Sequence, residues 1–230
     1  MFQKWILDMP KSIEFNPVSN FAEEVVPYPK PARNYIPEWY RNIPAFRDGK
    51  GTEKTIKMCS PFAESFAFGY IQETWEDINI ISGDIGENTA LIGKRKKVAN
   101  SFSIPDEYTD VEFVWHPMWI PKLPDGYSAL ITHPINRVDL PFHTLSGVVE
   151  HDTYSQSTIN SNLPFLMRKD FSGVIPKGTP MYQIIPFKRD DWQSSPNRYN
   201  KELQEASNSQ IRSQSPGGYK KIHWKKKDFK

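Results

Sequence analysis

The stretch that decides the fold runs from residue 123 to residue 192. It opens with LPDGYSALITHP (123–134) and closes with GTPMYQIIPFKRDDW (178–192). Apolar and polar residues alternate in both segments, and clusters of Pro, Gly and Asp bound them, which is typical of short strands joined by turns. Two further runs of this kind are LSGVVEHD (145–152) and LPFLMRKDF (163–171). The stretch therefore predicts at least four β-strands.

Segments before this stretch extend the same prediction. FAFGYIQET (66–74) and VEFVWHPMWI (111–120) are rich in aromatic and β-branched residues, and TIKMCSPF (55–62) begins with strand-like alternation. The 20 prolines disfavour long helices, because a proline inside a helix costs about 3 kcal/mol. We expect an all-β fold, either jelly-roll-like or a distorted barrel or sandwich.

Composition divides the chain into three regions. Residues 1–50 are proline-rich and irregular, and we expect this N-terminal arm to pack on the core through aromatic side chains such as Trp39. Residues 51–192 form the predicted β-domain. Residues 193–230 contain a polar sequence with helical propensity at 200–214, which predicts a short C-terminal helix, and end in a basic tail.

Charge and cysteine content limit the kinds of partner and site. The formal net charge is +2, too small to indicate nucleic acid, which we do not expect as a partner. No apolar run has the length of a membrane span and no signal peptide opens the chain, so we expect no membrane partner and a cytoplasmic location, in a host cytoplasm if the protein is viral. The single cysteine, Cys59, excludes an internal disulfide framework, and we expect it to be buried as a small apolar residue.

Four motifs of the central stretch occur in the order found in the dUTPase and dCTP-deaminase superfamily. They are LPDGY (123–127), GVVEHDTY (147–154), INSNLPF (159–165) and GTPMYQIIPF (178–187). Residues 123–192 resemble that superfamily in the order and spacing of these motifs. The resemblance implies a dUTPase-like distorted barrel and, as its most concrete function, the binding of a nucleotide.

The resemblance also suggests roles for single residues. Glu150, or Asp152 two residues later, would be the carboxylate that activates water, and Gln183 would read the nucleotide base. We expect the pocket to be lined by residues 133–154 and Gln183, with Arg137, His151 and Tyr154 binding the ligand. The family has a serine-bearing phosphate segment where this chain has HPINR, in which Arg137 alone could hold a phosphate. The resemblance therefore supports the architecture more than the reaction.

A larger part of the chain resembles a family of proteins from marine bacteriophages and bacteria. The resemblance lies in PEWYRNIP (37–44), in residues 57–78 (KMCSPFAESFAFGYIQETWEDI) and in LPFHTLSGVVEHDTY (140–154). It implies a bacteriophage or bacterial origin and contributes no activity.

The histidines suggest a different function. His116, His133, His143 and His151 lie close together in sequence, with acidic residues among them. A metal-dependent jelly-roll enzyme needs two histidines and one carboxylate on neighbouring strands, and His151 with His133 or His143 could supply the histidines. The His-x-Asp pair of the 2-oxoglutarate oxygenases is absent, so hydrogen-bonded structural histidines are the simpler interpretation.

Three functions therefore stay open on the sequence. The leading hypothesis is a β-domain that binds a small molecule, most concretely a nucleotide in a degenerate dUTPase-like site. The first alternative is a structural or host-interaction protein, assembled as a homo-oligomer through its terminal arms. The second alternative is the metal-dependent enzyme. The sequence identifies no cofactor and leaves open whether any reaction is catalysed.

Overall fold

The computed structural model describes residues 11–86, 89, 91–95, 104–154, 162–215 and 217–230. The chain forms two compact units. The first, which we call the β-unit, contains residues up to Lys30 together with Tyr70–Arg189. The second, the small unit, contains Pro31–Gly69 and Asp190–Lys230. Strands dominate the described residues and the helices are short, which confirms the predicted all-β fold with a short C-terminal helix.

The described residues form fourteen strands and five α-helices. The strands are β1 Glu14–Pro17, β2 Lys30–Pro31, β3 Tyr70–Glu73, β4 Ile78–Ile81, β5 Asp84–Ile85, β6 Ile92–Arg95, β7 Glu112–Trp115, β8 Trp119–Lys122, β9 Tyr127–Thr132, β10 Phe142–Thr144, β11 Gly147–Val149, β12 Leu163–Met167, β13 Gly173–Ile175 and β14 Pro180–Lys188. The helices are α1 Asn20–Val25, α2 Glu38–Asn42, α3 Ser60–Ser65, α4 Lys201–Ser213 and α5 Gly218–Ile222.

The largest sheet has the strand order β11-β9-β14-β3-β2. Its centre is β14, which pairs antiparallel with β9, where Ile131 lies opposite Ile184, and with β3, where Tyr70 lies opposite Ile184. The other sheets have the orders β10-β12-β7-β6, β13-β4-β5 and β1-β8. With nine residues, β14 is buried along most of its length, as a central strand covered on both faces should be.

The core of the β-unit contains a stack of aromatic rings on the four-stranded sheet. Trp115 and Phe165 stack with their centroids 3.8 Å apart, and Phe142 meets both rings at a steep angle. The Trp115 indole donates a hydrogen bond to Thr144 Oγ1 (3.0 Å), and that hydroxyl donates to the Met181 carbonyl (2.7 Å). Since these groups are buried, the two bonds satisfy polar atoms that water cannot reach. They also connect β7 and β10 to β14.

The small unit is built around the aromatic side chains of α2, of α3 and of Phe66, which follows α3 directly. The Tyr40 ring lies 4.8 Å from that of Phe66 and 5.7 Å from that of Phe62. TIKMCSPF, which predicted the start of a strand, instead forms a 3-10 turn at Ile56–Met58 and the start of α3. The proline in the first turn of α3 favours the helix, because its fixed φ suits that position. Cys59 is exposed rather than buried. No helix in the described part of the chain is long and apolar enough to cross a membrane.

Candidate functional site

The alternation of β14 gives its neighbouring side chains different surroundings. Tyr182 and Ile184 lie on one face of the largest sheet, and Gln183 between them lies on the other. Ile131 on β9 is paired with Ile184, so it shares the face of Tyr182. Val149 on β11 lies on that face as well. This face forms one wall of a cavity in the β-unit.

The cavity has a volume of about 460 Å³ and is lined mainly by apolar side chains. The apolar lining includes Trp119, Ile120, Ile131, Val149, Leu163 and Ile184. The polar lining consists of Glu150, His151, Thr153, Tyr154, Asn162 and Tyr182. An apolar cavity with a few convergent polar groups is typical of small-molecule sites. Neither Lys nor Arg occurs among the described lining residues, so Glu150 makes the cavity unfavourable for an anion.

Tyr182 supplies a hydrogen-bond donor that the described part of the chain leaves unused. Its side chain is 2% exposed, and among the described residues its hydroxyl has no hydrogen-bond partner. Burial raises the pKa of Tyr182, so the hydroxyl keeps its proton under physiological conditions. A buried polar group without a partner costs about 1–3 kcal/mol. An acceptor atom of a ligand would recover that free energy.

His151 supplies an acceptor on the same cavity. Its Nδ1 lies 2.9 Å from the carbonyl oxygen of Tyr154, and because a carbonyl can only accept, Nδ1 carries the proton. Burial lowers the pKa of His151 below its ordinary value, and the bond to Tyr154 and the charge of Glu150 oppose that shift only in part. The ring is therefore neutral near neutral pH. Nε2 then carries a lone pair, and the described residues show no hydrogen bond to it, so it can accept one from a ligand.

The loop that carries Glu150 and His151 is held in place by Asp152. This carboxylate accepts hydrogen bonds from the backbone N–H of Gly126 (3.0 Å) and from the guanidinium of Arg189. Arg189 also donates to Ser128 Oγ (3.0 Å). The hydrogen bond from Arg189 lowers the pKa of Asp152 to about 2. Three segments, the turn at 124–126, the loop at 150–154 and the end of β14, are thus clamped by one ion pair.

The residues predicted for the site fall into three places. Glu150, His151 and Tyr154 line the cavity. Asp152 instead forms the ion pair with Arg189 that holds the loop, which we call the clamp. Gln183 lies on the opposite face of β14, where its Oε1 accepts a hydrogen bond from the backbone N–H of Ile135 (2.8 Å). It thereby positions the loop after β9.

Arg137 lies in that loop and binds Asp139 through two parallel hydrogen bonds, from Nε to Oδ1 (2.9 Å) and from Nη2 to Oδ2 (2.8 Å). Its guanidinium is therefore already engaged by a carboxylate. Neither Arg137 nor Gln183 is among the residues that line the cavity.

Three of the four histidines considered for a metal site, His116, His133 and His151, are engaged in structural hydrogen bonds. His133 donates from Nε2 to the carbonyl of Arg137 (3.0 Å) and accepts at Nδ1 from the N–H of Thr144 (3.3 Å). Both ring nitrogens are used, although the ring of His143 lies only 4.7 Å away. His116 Nδ1 lies 2.8 Å from Asn162 Oδ1. Within the described ranges, no three His, Cys, Asp or Glu side chains are grouped so as to hold a metal ion.

Sequence reasoning missed the cavity residues Tyr182, Trp119 and Asn162. The alternation in GTPMYQIIPF already places Tyr182 and Gln183 on opposite faces of one strand. It does not say which face meets a cavity, because that depends on what covers each face of the sheet. Only the register of β14 with β9 and β3 and the position of the covering segments decide it.

Comparison with known proteins identifies no family for the chain. No protein-family model matches it, and no curated protein matches it. Among solved structures, it is similar to a mutant dUTPase from phage phi11 of S. aureus, with a TM-score of 0.37 and 11% sequence identity, over 83% of this chain and 99% of that one. A likeness of this size supports no argument about a site or a ligand. The bacteriophage or bacterial origin and the dUTPase resemblance stay predictions from the sequence.

Proposed function

We propose that the β-unit binds a small, uncharged, ring-shaped molecule in its cavity, most concretely a nucleobase or nucleoside. The observation that carries the proposal is the buried hydroxyl of Tyr182, a residue that lines the cavity, which has no partner among the described residues. A donor held in this way at a cost to stability is expected where a ligand supplies the missing acceptor.

The polar groups of the cavity favour a ligand with both an acceptor and a donor. The Tyr182 hydroxyl donates a hydrogen bond, so the ligand must offer it an acceptor. His151 Nε2 accepts one, so the ligand must also offer an N–H or O–H donor. Nucleobases carry carbonyl oxygens and N–H groups on one planar ring. Trp119, Ile131 and Ile184 supply apolar surface against which such a ring can pack.

The charge of the cavity favours the base and sugar of a nucleotide over its phosphate groups. The only charged side chain among the described lining residues is Glu150, and Arg137 is held by Asp139 outside the cavity. Phosphate groups would therefore gain no cation inside the cavity and would be repelled by Glu150. Of the two carboxylates considered as catalysts, Glu150 is the one that reaches the cavity, so it would be the base if the ligand is also hydrolysed.

Thermal unfolding in the presence of single nucleobases and deoxynucleosides tests the proposal. A ligand present at 100 times its Kd stabilises the protein by about 2.7 kcal/mol, which is a readily measured shift of Tm. Tyr182→Phe should reduce the shift, whereas the matched variant Tyr28→Phe should leave it unchanged, because Tyr28 is half exposed and does not line the cavity. The proposal fails if none of these compounds raises Tm at millimolar concentration, or if both variants respond alike.

A second candidate function, assembly with a second copy of the chain, is favoured by the apolar residues exposed on the C-terminal arm. Trp192 is 86% exposed, Tyr199 74% and Leu203 69%. Large apolar side chains exposed together often mark an interface. Sedimentation over a range of protein concentrations should show a self-association that Leu203→Glu weakens; a monomer at every concentration would exclude this function.

A further inference from the structure

The charge of the chain is divided unevenly between its two units. The small unit, residues 31–69 and 190–230, has 15 Lys and Arg against 9 Asp and Glu, a net charge of +6. The remainder has 14 against 18, a net charge of −4. The overall +2, which gave no reason to expect a polyanionic partner, is therefore the sum of two larger and opposite charges. A concentrated positive charge of this kind is an electrostatic footprint for a polyanion.

The positive charge of the small unit is concentrated in its last eleven residues, which hold six lysines and one aspartate. This tail is docked within the unit and is not a loose end. The ring of Phe229 packs edge-on against Phe68 with centroids 5.0 Å apart. Lys227 Nζ lies 2.7 Å from Glu64 Oε1, and Arg33 lies 3.0 Å from Asp228. The contacts fix the backbone of the tail against the unit.

The acidic groups near the tail are already neutralised by these contacts. Glu64 pairs with Lys227, and Asp228 pairs with Arg33, Lys226 and Lys230. Three exposed lysines of the tail, Lys220, Lys221 and Lys225, have no acidic partner among the residues that the structure describes. Their charge is therefore free to attract an anion from solution.

An aromatic ring lies among these lysines. Trp224 is half-buried, and Lys220 Nζ lies 5.8 Å from the centre of its indole ring. Trp224 lines a groove of about 270 Å³ together with Phe68, Phe229, Lys220 and Lys227. A groove with aromatic walls and a cationic rim can stack a base and contact the phosphates on either side of it.

We propose that the small unit binds single-stranded nucleic acid, with the phosphates on the lysines of the tail and a base stacked at Trp224. The aromatic side chains separate this partner from an anionic membrane surface. Phe229 is packed against Phe68, and Trp224 lies in a groove, so neither projects outward as an apolar anchor would for insertion between lipids. Single strands expose the faces of their bases for stacking, which a duplex does not.

Fluorescence anisotropy of the full chain with a labelled oligothymidylate of about 20 nucleotides tests the proposal. Binding should weaken with salt, with a slope of log Kobs against log salt of about −0.7 for each phosphate contacted. Reversing Lys221 and Lys225 to Glu should make that slope shallower by about 1.4. Reversing Lys50 and Lys54, which are exposed elsewhere in the same unit, is the matched control and should leave the slope unchanged.

Stacking is tested separately from charge. Trp224→Ala should weaken binding by about five- to a hundredfold, the loss typical of one stacked base, and Trp224→Phe should restore most of it. Circular dichroism must show that each variant keeps its fold, so that the Phe variant distinguishes stacking from damage to the unit.

Several results would overturn the proposal. They are no binding at about 50 mM salt, equal loss from the two charge reversals, and no effect of Trp224→Ala. Tighter binding to vesicles of phosphatidylcholine and phosphatidylserine than to the oligonucleotide would assign the surface to membranes instead. Duplex binding as tight as single-strand binding would remove the role of stacking.

Discussion

Replacing Tyr182 by Phe should stabilise the protein, although the substitution removes a hydrogen-bonding group. The hydroxyl of Tyr182 is fully enclosed and has no partner in the described part of the chain. Phe keeps the ring, which lies on the cavity face of β14, and removes only the oxygen. The variant therefore tests whether the hydroxyl is reserved for a ligand or has an intramolecular role.

The expected magnitude follows from the state of the hydroxyl. Where a buried hydroxyl has a partner, its removal costs about 0.5–1.5 kcal/mol. Where it has none, its removal relieves a desolvation penalty of about 1–3 kcal/mol and loses no bond. We therefore expect the free energy of unfolding to rise by about 1 kcal/mol and Tm by about 2–4 °C, while affinity for the ligand falls.

Urea unfolding of the ligand-free protein measures the change, with Tyr28→Phe as the control. The midpoint should rise for Tyr182→Phe, with an unchanged slope of free energy against urea, and should stay the same for Tyr28→Phe, since Tyr28 is 56% exposed. A loss of about 1 kcal/mol for Tyr182→Phe would show that the hydroxyl is hydrogen-bonded within the folded protein. In that case the hydroxyl is not reserved for a ligand.

Gln183→Met should lower the free energy of unfolding, measured in urea, by about 1–3 kcal/mol, because it leaves the N–H of Ile135 without its acceptor. Titration calorimetry should nevertheless show unchanged ligand affinity. A lost affinity would place Gln183 in the site. Glu150→Gln should improve nucleoside monophosphate binding relative to the nucleoside by on the order of tenfold, because it removes a like charge from the cavity; an unchanged ratio would contradict this.

The low pKa of His133, about 4 and caused mainly by burial, means that below about pH 6.5 only the unfolded chain takes up its proton. Stability should therefore fall by up to about 3 kcal/mol between pH 6.5 and pH 4, and less in His133→Gln; equal acid sensitivity of the two proteins would refute the assignment. Asp152, whose pKa is lowered to about 2 by Arg189, stabilises the fold above its ordinary pKa and loses that effect as the pH falls through about 2. The difference in urea midpoint between wild type and Asp152→Asn should therefore shrink in acid, and a constant difference would speak against the clamp.

Local patterns were enough to predict the longest strands and the terminal helix. YSALITHP predicted a strand at 127–134, and β9 spans Tyr127–Thr132; PMYQIIPF predicted one at 180–187, and β14 spans Pro180–Lys188. The polar helix expected at 200–214 is α4, which begins after Asn200, whose side chain accepts from the N–H of Leu203 (3.0 Å). These elements depend on periodicity and capping within a few residues, which the sequence displays directly.

The candidate site depends on contacts between residues far apart in sequence. Asp152 and Arg189 are 37 residues apart, and neither residue type nor local spacing pairs them. Likewise, Gln183 has the residue type expected for reading a base, but cross-strand pairing turns it toward Ile135 and gives the cavity to Tyr182. Residue type suggests which groups could act; register and covering segments decide which of them meet in one place.

Net charge is equally uninformative at the scale of the whole chain. A value of +2 predicts neither attraction to a polyanion nor its exclusion, because electrostatic attraction depends on the charge within about a Debye length, roughly 10 Å. On that scale the cavity contains the carboxylate of Glu150 and no Lys or Arg among its described lining residues, whereas the tail carries six lysines. The cavity therefore suits the uncharged ring of a nucleoside, and the tail suits a phosphate backbone. Because the two surfaces have opposite requirements, salt should weaken oligonucleotide binding strongly and leave nucleoside binding almost unchanged, and the same salt dependence for both ligands would mean that one surface binds both.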